Sequence, residues 1–138
     1  MTLLDANALV AFLIGGPAAP QVRGLLREGR TSVATANLAE ALDVSARRYG
    51  LPIGRAMEVL EPLLDGTLGT VPLDLARARQ AADIRARHYH RTSRPISLAD
   101  AILVASASPA DRIATADPDV LAVAKAEAIE TLALHPQG

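Results

Sequence analysis

Four carboxylates lie where acidic side chains from distant parts of a chain can meet. They are Asp5, Glu40, Asp100 and Asp117, and each lies in, or just before, the first turn of a predicted helix. Three of them also follow a predicted strand. The carboxyl ends of parallel strands share one edge of a sheet, where open α/β folds bind their ligands. We therefore expect the four side chains to gather at one edge.

An acidic cluster of this kind needs positive charge to compensate it. Helix N-termini favour ionised acids, but neighbouring carboxylates repel, and some take up protons unless a cation is present. Oxygen donors suit the hard cations Mg²⁺ and Mn²⁺. Such a metal turns a bound water into a nucleophile and stabilises charge on a phosphate, and two metals about 3.5–4 Å apart can share these tasks.

Each acid taken singly also has a plain structural explanation as a helix cap. Ser97 stands three residues before Asp100, which is a capping pattern, and Asn37 with Glu40 repeats that spacing. Asp117 precedes a proline, which suits the first turn of a helix. Only the shared location of all four acids favours a metal site over four separate caps.

Strands and helices alternate along the chain and position these acids. This alternation predicts the α/β class, in three α/β/α layers around a short central parallel sheet. We expect Pro62 to shorten the helix that contains it. The predicted strands are 2–5, 31–35, 68–71, 112–115 and 128–132; the predicted helices are 6–14, 19–28, 37–49, 53–64, 73–88, one opening after Ser97, and 118–126.

Length and composition exclude several classes of protein. A chain of 138 residues fits a single domain, 1–138, and a charged fraction of 21% argues against disorder. The absence of cysteine excludes disulfides and thiolate metal sites. Neither an apolar run of roughly 18 residues nor a secretory signal is visible. We expect a soluble, cytoplasmic protein with no membrane partner.

The acidic motifs together resemble those of a known family. The segment Leu3–Val10, with Asp5 inside it, resembles the opening of PIN-domain ribonucleases. The segments Leu38–Ala41, Ser97–Ala101 and Ala114–Asp117 follow in the order and spacing of that family's other acidic motifs. The resemblance covers nearly the whole chain, and its length and helix pattern are similar to those of VapC-type toxins of bacterial toxin–antitoxin pairs.

The resemblance implies a Mg²⁺- or Mn²⁺-dependent endoribonuclease with Asp5, Glu40, Asp100 and Asp117 as catalytic metal ligands. It further implies a homodimer that a cognate VapB-type antitoxin silences. The family often has Thr or Ser two residues after the first Asp, where this chain has Asn7. An amide can still hydrogen-bond a neighbouring carboxylate, so Asn7 is an auxiliary candidate. Further auxiliary candidates are Thr115, which matches the hydroxyl before the last Asp, and Asp119.

Basic residues near the acids suggest where RNA binds. The segment 85–94 carries four Arg and two His, including Arg91 and Arg94. Arginine suits phosphate contacts, and bases of single-stranded RNA can stack on Tyr89. A solvated helix end explains the same residues equally well. Arg47 lies on the face of Glu40 and could hold a phosphate, but Asp43, four residues earlier, offers a surface ion pair.

Other functions remain to be weighed. Aspartyl-nucleophile phosphatases place a second Asp where this chain has Asn7 and use a site Lys, whereas the only Lys here is Lys125. A receiver domain fails for want of an early acid pair. An RNA-processing PIN-like nuclease without an antitoxin and a catalytically inactive PIN-like binding module stay open.

Overall fold

The computed structural model describes residues 1–136, which form five strands and seven helices. The strands are β1 (Thr2–Leu4), β2 (Thr31–Ala34), β3 (Leu68–Val71), β4 (Arg112–Thr115) and β5 (Glu130–Ala133). The helices are α1 (Ala6–Ile14), α2 (Ala19–Glu28), α3 (Thr35–Tyr49), α4 (Ile53–Leu64), α5 (Leu75–His88), α6 (Leu98–Ser106) and α7 (Pro118–Ala126).

All five strands are parallel and lie in the order β3-β2-β1-β4-β5. The chain adds strands on one side of β1 as far as β3, then crosses to add β4 and β5 on the other side. The order therefore reverses between β1 and β4. In open α/β sheets a crevice for ligands lies at the carboxyl ends of the strands at such a switch point.

Apolar residues cover both faces of the sheet. Leu4 packs with α1, α2 and α4, whereas its neighbour Leu3 packs with α5, α6 and α7. Consecutive strand residues point to opposite faces, so the two clusters lie on opposite sides of the sheet. The predicted three-layer α/β/α fold is confirmed.

Local sequence signals set most of the helix ends. At α6 the Ser97 hydroxyl accepts from the Asp100 N–H, and Asp100 Oδ2 accepts from the Ser97 N–H, so the predicted capping box is present. Asp117 caps α7 as predicted. The helices α1 and α3 end at Gly15 and Gly50, with φ of 77° and 70°, a left-handed conformation that glycine adopts without strain.

The predicted start of α3 at Asn37 is wrong. Strand β2 ends at Ala34 and the helix begins at the next residue, Thr35, so an extended Ala34 occupies the cap position. Asn37 lies inside the helix and is only 2% exposed. Glu40 consequently lies in the second turn of α3, not in the first.

Helix α4 keeps its predicted span 53–64 without the shortening expected at Pro62, whereas α5 and the last strand begin two residues later than predicted. Helix α4 continues through Pro62 to Leu64, because a proline so close to the end of a helix removes only one late backbone bond. The last strand is Glu130–Ala133 rather than 128–132. Ala128 has a φ of 61°, which a strand does not accommodate, so the strand begins after it.

Within residues 1–136, no single helix has both the length and the apolar character to cross a membrane. Helices α1 and α2, bent by 105°, pass that test only as a pair, by length and composition.

Candidate active site

Asp5 is held by both of its carboxylate oxygens at the end of β1. Its Oδ1 accepts from the Ala8 N–H at 2.7 Å and so caps α1. Its Oδ2 accepts from the Thr115 hydroxyl at 2.5 Å. The side chain is buried, with the whole residue 5% exposed. A local hydrogen bond from Ala8 and a long-range one from Thr115 thus fix the direction of this carboxylate before any ligand arrives.

Burial raises the pKa of the Asp5 carboxyl from 3.8 to about 6. The hydrogen bonds from Thr115 and Ala8 lower the pKa, but by less than burial raises it. The charges of Asp100 and Asp117 raise it further. Three acids from separate parts of the chain therefore share one electrostatic environment.

Thr115 connects Asp5 with Asp117 across the switch point. The register of β1 with β4 pairs Leu4 with Ala114, which sets the next residues, Asp5 and Thr115, side by side. The Thr115 hydroxyl donates to Asp5 and also accepts from the Asp117 N–H at 3.1 Å. The Asp117 carboxylate accepts from the Asp119 N–H at 2.8 Å.

Glu40 and Asp100 reach the cluster from helices α3 and α6. Burial raises the pKa of Glu40, and the charge of Asp100 raises it further. Burial also raises the pKa of Asp100, aided by the charges of Asp117 and Asp119 and opposed by the hydrogen bonds to Ser97. The four acids are thus linked electrostatically, with Asp100 acting on both Asp5 and Glu40.

A divalent cation fits this cluster by chemistry and by charge. The donors are carboxylate oxygens. Burial first, and neighbouring negative charges second, raise the pKa of three of these carboxyls, and a bound cation would favour their ionised form. Among the described residues, however, no group of three or more His, Asp or Glu side chains stands ready to enclose an ion. The oxygens of Asp5 and one each of Asp100 and Asp117 instead accept protein hydrogen bonds.

The auxiliary candidates lie around these acids. Thr115 is fully buried. Asn7 is exposed and, with Asp5 and His135, lines a small crevice beside the site. Asp119 forms an ion pair with Arg94, with the nearest N–O distance at 3.8 Å. Thr115 therefore contacts Asp5 directly, and Asp119 contacts Asp117 through its backbone N–H.

The three arginines predicted to contact RNA have different surroundings. Arg94 lies at the rim of the acid cluster through its ion pair with Asp119. Arg91 is exposed in the turn just before it. Arg47 forms the exposed surface pair with Asp43, at 3.3 Å.

Two histidines in the basic segment make separate contacts. His88 Nε2 lies 2.7 Å from Glu127 Oε2. His90 Nδ1 accepts from the Thr92 and Ser93 N–H groups and shapes the turn. The two imidazoles therefore contact different residues and share no partner.

Sequence reasoning missed two features close to the acids. Asn37 donates from Nδ2 to the Ala99 carbonyl at 3.2 Å and thereby joins α3 to α6. The Leu134 N–H donates to the Thr115 carbonyl at 2.9 Å, which brings His135 beside Asp5. Asn37 fits the spacing of a helix cap, so the sequence predicted a cap there instead of a contact with α6. The hydrogen bond between Leu134 and Thr115 depends on tertiary packing, which no local motif indicates.

A larger groove, of about 380 Å³, lies between α5 and α6. Ile84, Val104 and Ile129 are among its lining residues, with Arg87 and Glu127. Within the described part of the chain, none of the four acids lines this groove. This groove therefore lies apart from the four acids that could carry chemistry.

Fold and site together define a class: α/β proteins with an acidic cluster at the switch point of a parallel sheet. The chain belongs to the PIN domain family, which matches residues 2–127. The resemblance drawn from the acidic motifs is thereby confirmed at the level of the family. A comparison with curated proteins gives no match.

Several solved structures share the fold. A chain of FitAcB from Neisseria gonorrhoeae is 24% identical, with a TM-score of 0.67 and coverage of 96% of both chains. A chain of the DNA-bound VapBC from Salmonella typhimurium is 20% identical, with a TM-score of 0.69 and the same coverage. A toxin–antitoxin complex from Klebsiella pneumoniae gives 18% identity and 0.64, covering 88% of this chain and 91% of that one.

Proposed function

We propose that this protein is the toxin of a type II toxin–antitoxin pair and acts as a VapC-type endoribonuclease. One nuclease domain, 1–138, cuts RNA with the help of Mg²⁺ or Mn²⁺. Membership of the PIN domain family supports the nuclease role. The neighbours described as toxin–antitoxin, VapBC and FitAcB structures support the toxin role.

The observation that carries the proposal is electrostatic. Burial and then the charges of neighbouring acids raise the pKa of Asp5, Glu40 and Asp100, and the charge of Asp117 acts on Asp5 and Asp100. Maintaining such a cluster costs stability, and proteins keep costly polar groups chiefly where function needs them. We assign all four as catalytic ligands of the metal.

The side chains divide the remaining work. Thr115 orients the Asp5 carboxylate, and Ser97 orients that of Asp100. When bound, Mg²⁺ or Mn²⁺ supplies positive charge that lowers the pKa of water and offsets charge on the phosphate.

Arginines at the rim hold the RNA in this proposal. The Arg94 guanidinium, next to Asp119, can exchange its ion pair for a phosphate, which it contacts with two N–H groups. Arg91, in the same exposed turn, adds a second phosphate contact. Arg47 would contribute only after leaving Asp43.

The proposal includes partners. A VapB-type antitoxin silences the site, and the toxin forms a homodimer that acts on RNA in the cytoplasm. Co-expression with the small protein encoded next to this one should yield a stable complex that does not cleave RNA. The mass of the purified toxin in solution should be that of two chains.

Cleavage of single-stranded RNA tests the proposal. The protein should cut RNA in Mn²⁺ or Mg²⁺, and EDTA should abolish the cutting. Asp117→Asn keeps the helix cap, because Asn caps as well as Asp, yet removes a ligand, so activity should fall by about 100-fold at unchanged melting temperature. Cleavage that persists in EDTA, or a fully active Asp117→Asn variant, would refute the proposed reaction.

A second candidate is a PIN-like module that binds RNA without cutting it. One observation favours it: the acids of residues 1–136 do not form a ready metal cage. RNA retained on the protein but left intact in Mn²⁺ would support this module over the nuclease.

A further inference from the structure

Asn37 joins the two helices that carry Glu40 and Asp100. Its Nδ2 donates to the Ala99 carbonyl at 3.2 Å, across 62 residues of sequence. That carbonyl belongs to the peptide group that leads directly into Asp100. Asn37 and Glu40 are three residues apart on α3, so they lie on neighbouring parts of one helix face. The bond therefore links the backbone at one acid to the helix that carries the other.

The linkage leaves a buried acceptor unsatisfied. Asn37 is 2% exposed, and its Oδ1 has no hydrogen-bond partner within residues 1–136. Turning the amide over would not help, because Oδ1 would then face the Ala99 carbonyl oxygen, and neither oxygen can donate. Buried unsatisfied groups are rare and destabilising. An apolar residue would fill the same space without this cost, so packing does not explain the amide.

Repulsion between the two acids gives the amide a role. Glu40 and Asp100 carry like charges, and the charge of Asp100 disfavours ionisation of Glu40. Like charges on α3 and on the first turn of α6 disfavour the close approach of the two helices. The capping box at Ser97 acts only within α6, whereas Asn37 acts between the helices. Its hydrogen bond opposes the repulsion where the two helices meet.

We propose that Asn37 is a positioning residue that fixes the start of α6 against α3 and so sets the separation of Asp100 from Glu40. This role rests on the proposed function, since it matters most when both acids hold one cation. The amide itself contacts neither RNA nor the cation. It acts through the Ala99–Asp100 peptide group.

Asn37→Val removes the donor and the unsatisfied acceptor together. In metal-free protein, hydrogen–deuterium exchange of the α6 amides should become about fivefold faster, the worth of one net hydrogen bond. Calorimetric titration with Mn²⁺ should show about tenfold weaker binding, as is usual when a residue supporting a ligand is lost.

Ser45→Ala provides the matched control on the same helix. Ser45 is fully buried, and its Oγ also lacks a partner among the described residues, so both changes remove from α3 a buried oxygen that has no hydrogen-bond partner. The control should leave α6 exchange and Mn²⁺ affinity unchanged.

The outcomes separate this inference from the proposed function. Wild-type exchange and wild-type Mn²⁺ affinity in Asn37→Val would overturn the positioning role. A wild-type protein that binds no Mn²⁺ would overturn the metal site instead. The exchange rates of α6 would then still decide whether Asn37 tethers the helix.

Discussion

At the scale of single residues, the site consists of acids held in place by hydroxyls and backbone N–H groups. Thr115 contacts Asp5 through its hydroxyl and the Asp117 N–H through the same oxygen. At Asp100 the carboxylate accepts from the backbone N–H of Ser97, and the Ser97 hydroxyl accepts from the Asp100 N–H. The carboxylates are therefore oriented by neighbours on the protein, while their charges remain to be compensated.

The raised pKa of Asp5 makes the stability of the fold depend on pH. Because the folded value, about 6, exceeds the ordinary 3.8, the stabilisation is complete below about pH 4 and is lost as the pH rises through 6. In EDTA, Asp5→Asn should therefore gain roughly 3 kcal/mol relative to the wild type between about pH 4 and pH 7.5. Urea unfolding at both pH values measures the difference. A difference in unfolding free energy between Asp5→Asn and the wild type that does not change with pH would contradict the raised pKa of Asp5.

Thr115→Val tests the orientation of Asp5. Valine keeps the branched shape but cannot donate to Oδ2, so the pKa of Asp5 should rise and metal-dependent RNA cleavage should fall by 10- to 100-fold. The acid limb of the pH–rate profile should move to higher pH. Thr115→Ser, which keeps the donor, should stay close to the wild type. A wild-type profile for the valine variant would exclude this role.

At the scale of helices and strands, most of the acids lie at or near the ends of these elements. Asp5 is the residue after β1, and Asp117 lies two residues after the end of β4, the other strand at the switch point. Asp100 lies in the first turn of α6. Glu40 alone comes from the second turn of a helix. The sheet and the helix caps thus place three acids, and the packing of α3 places the fourth.

Ser97→Ala should separate the structural and functional effects of a cap. Loss of the Ser97 hydroxyl, which accepts from the Asp100 N–H, should cost about 1 kcal/mol. The Ser97 N–H still donates to the Asp100 carboxylate, but the turn that holds this acid is loosened, so Mn²⁺-dependent cleavage should fall as well. The control is Asp74→Ala, which removes the cap of α5, where Asp74 accepts from the Arg77 N–H. Thermal unfolding and cleavage rates are the measurements. Equal losses of activity in both variants would show that Ser97 acts only through stability.

Sequence patterns predicted elements better than contacts between them. The spans of α1, α2, α4 and β4 were predictable because glycines, caps and apolar runs mark their ends locally. The start of α3 was not, because β2 passes into the helix without a loop and Asn37 matched a cap by spacing alone. The ion pair of Arg94 with Asp119 depends on tertiary packing, which no window of sequence contains.

At the scale of the whole molecule, the reversal of strand order between β1 and β4 explains why the site lies where it does. Two strands that are 110 residues apart in the chain run side by side, so Asp5 meets Thr115 and Asp117. The order of the motifs indicated that the acids would share an edge. The strand order itself emerged only from the structure, because sequence does not state which strands are neighbours.

Binding of Mn²⁺ to the metal-free protein tests most directly whether the acids form one cation site. Calorimetric titration should show binding by the wild type and its loss, by at least about tenfold in affinity, in both Asp5→Asn and Asp100→Asn. These acids come from different elements, so only a shared site makes both variants fail. Equal Mn²⁺ affinity in the wild type and both variants, or no binding by any of them, would contradict the account.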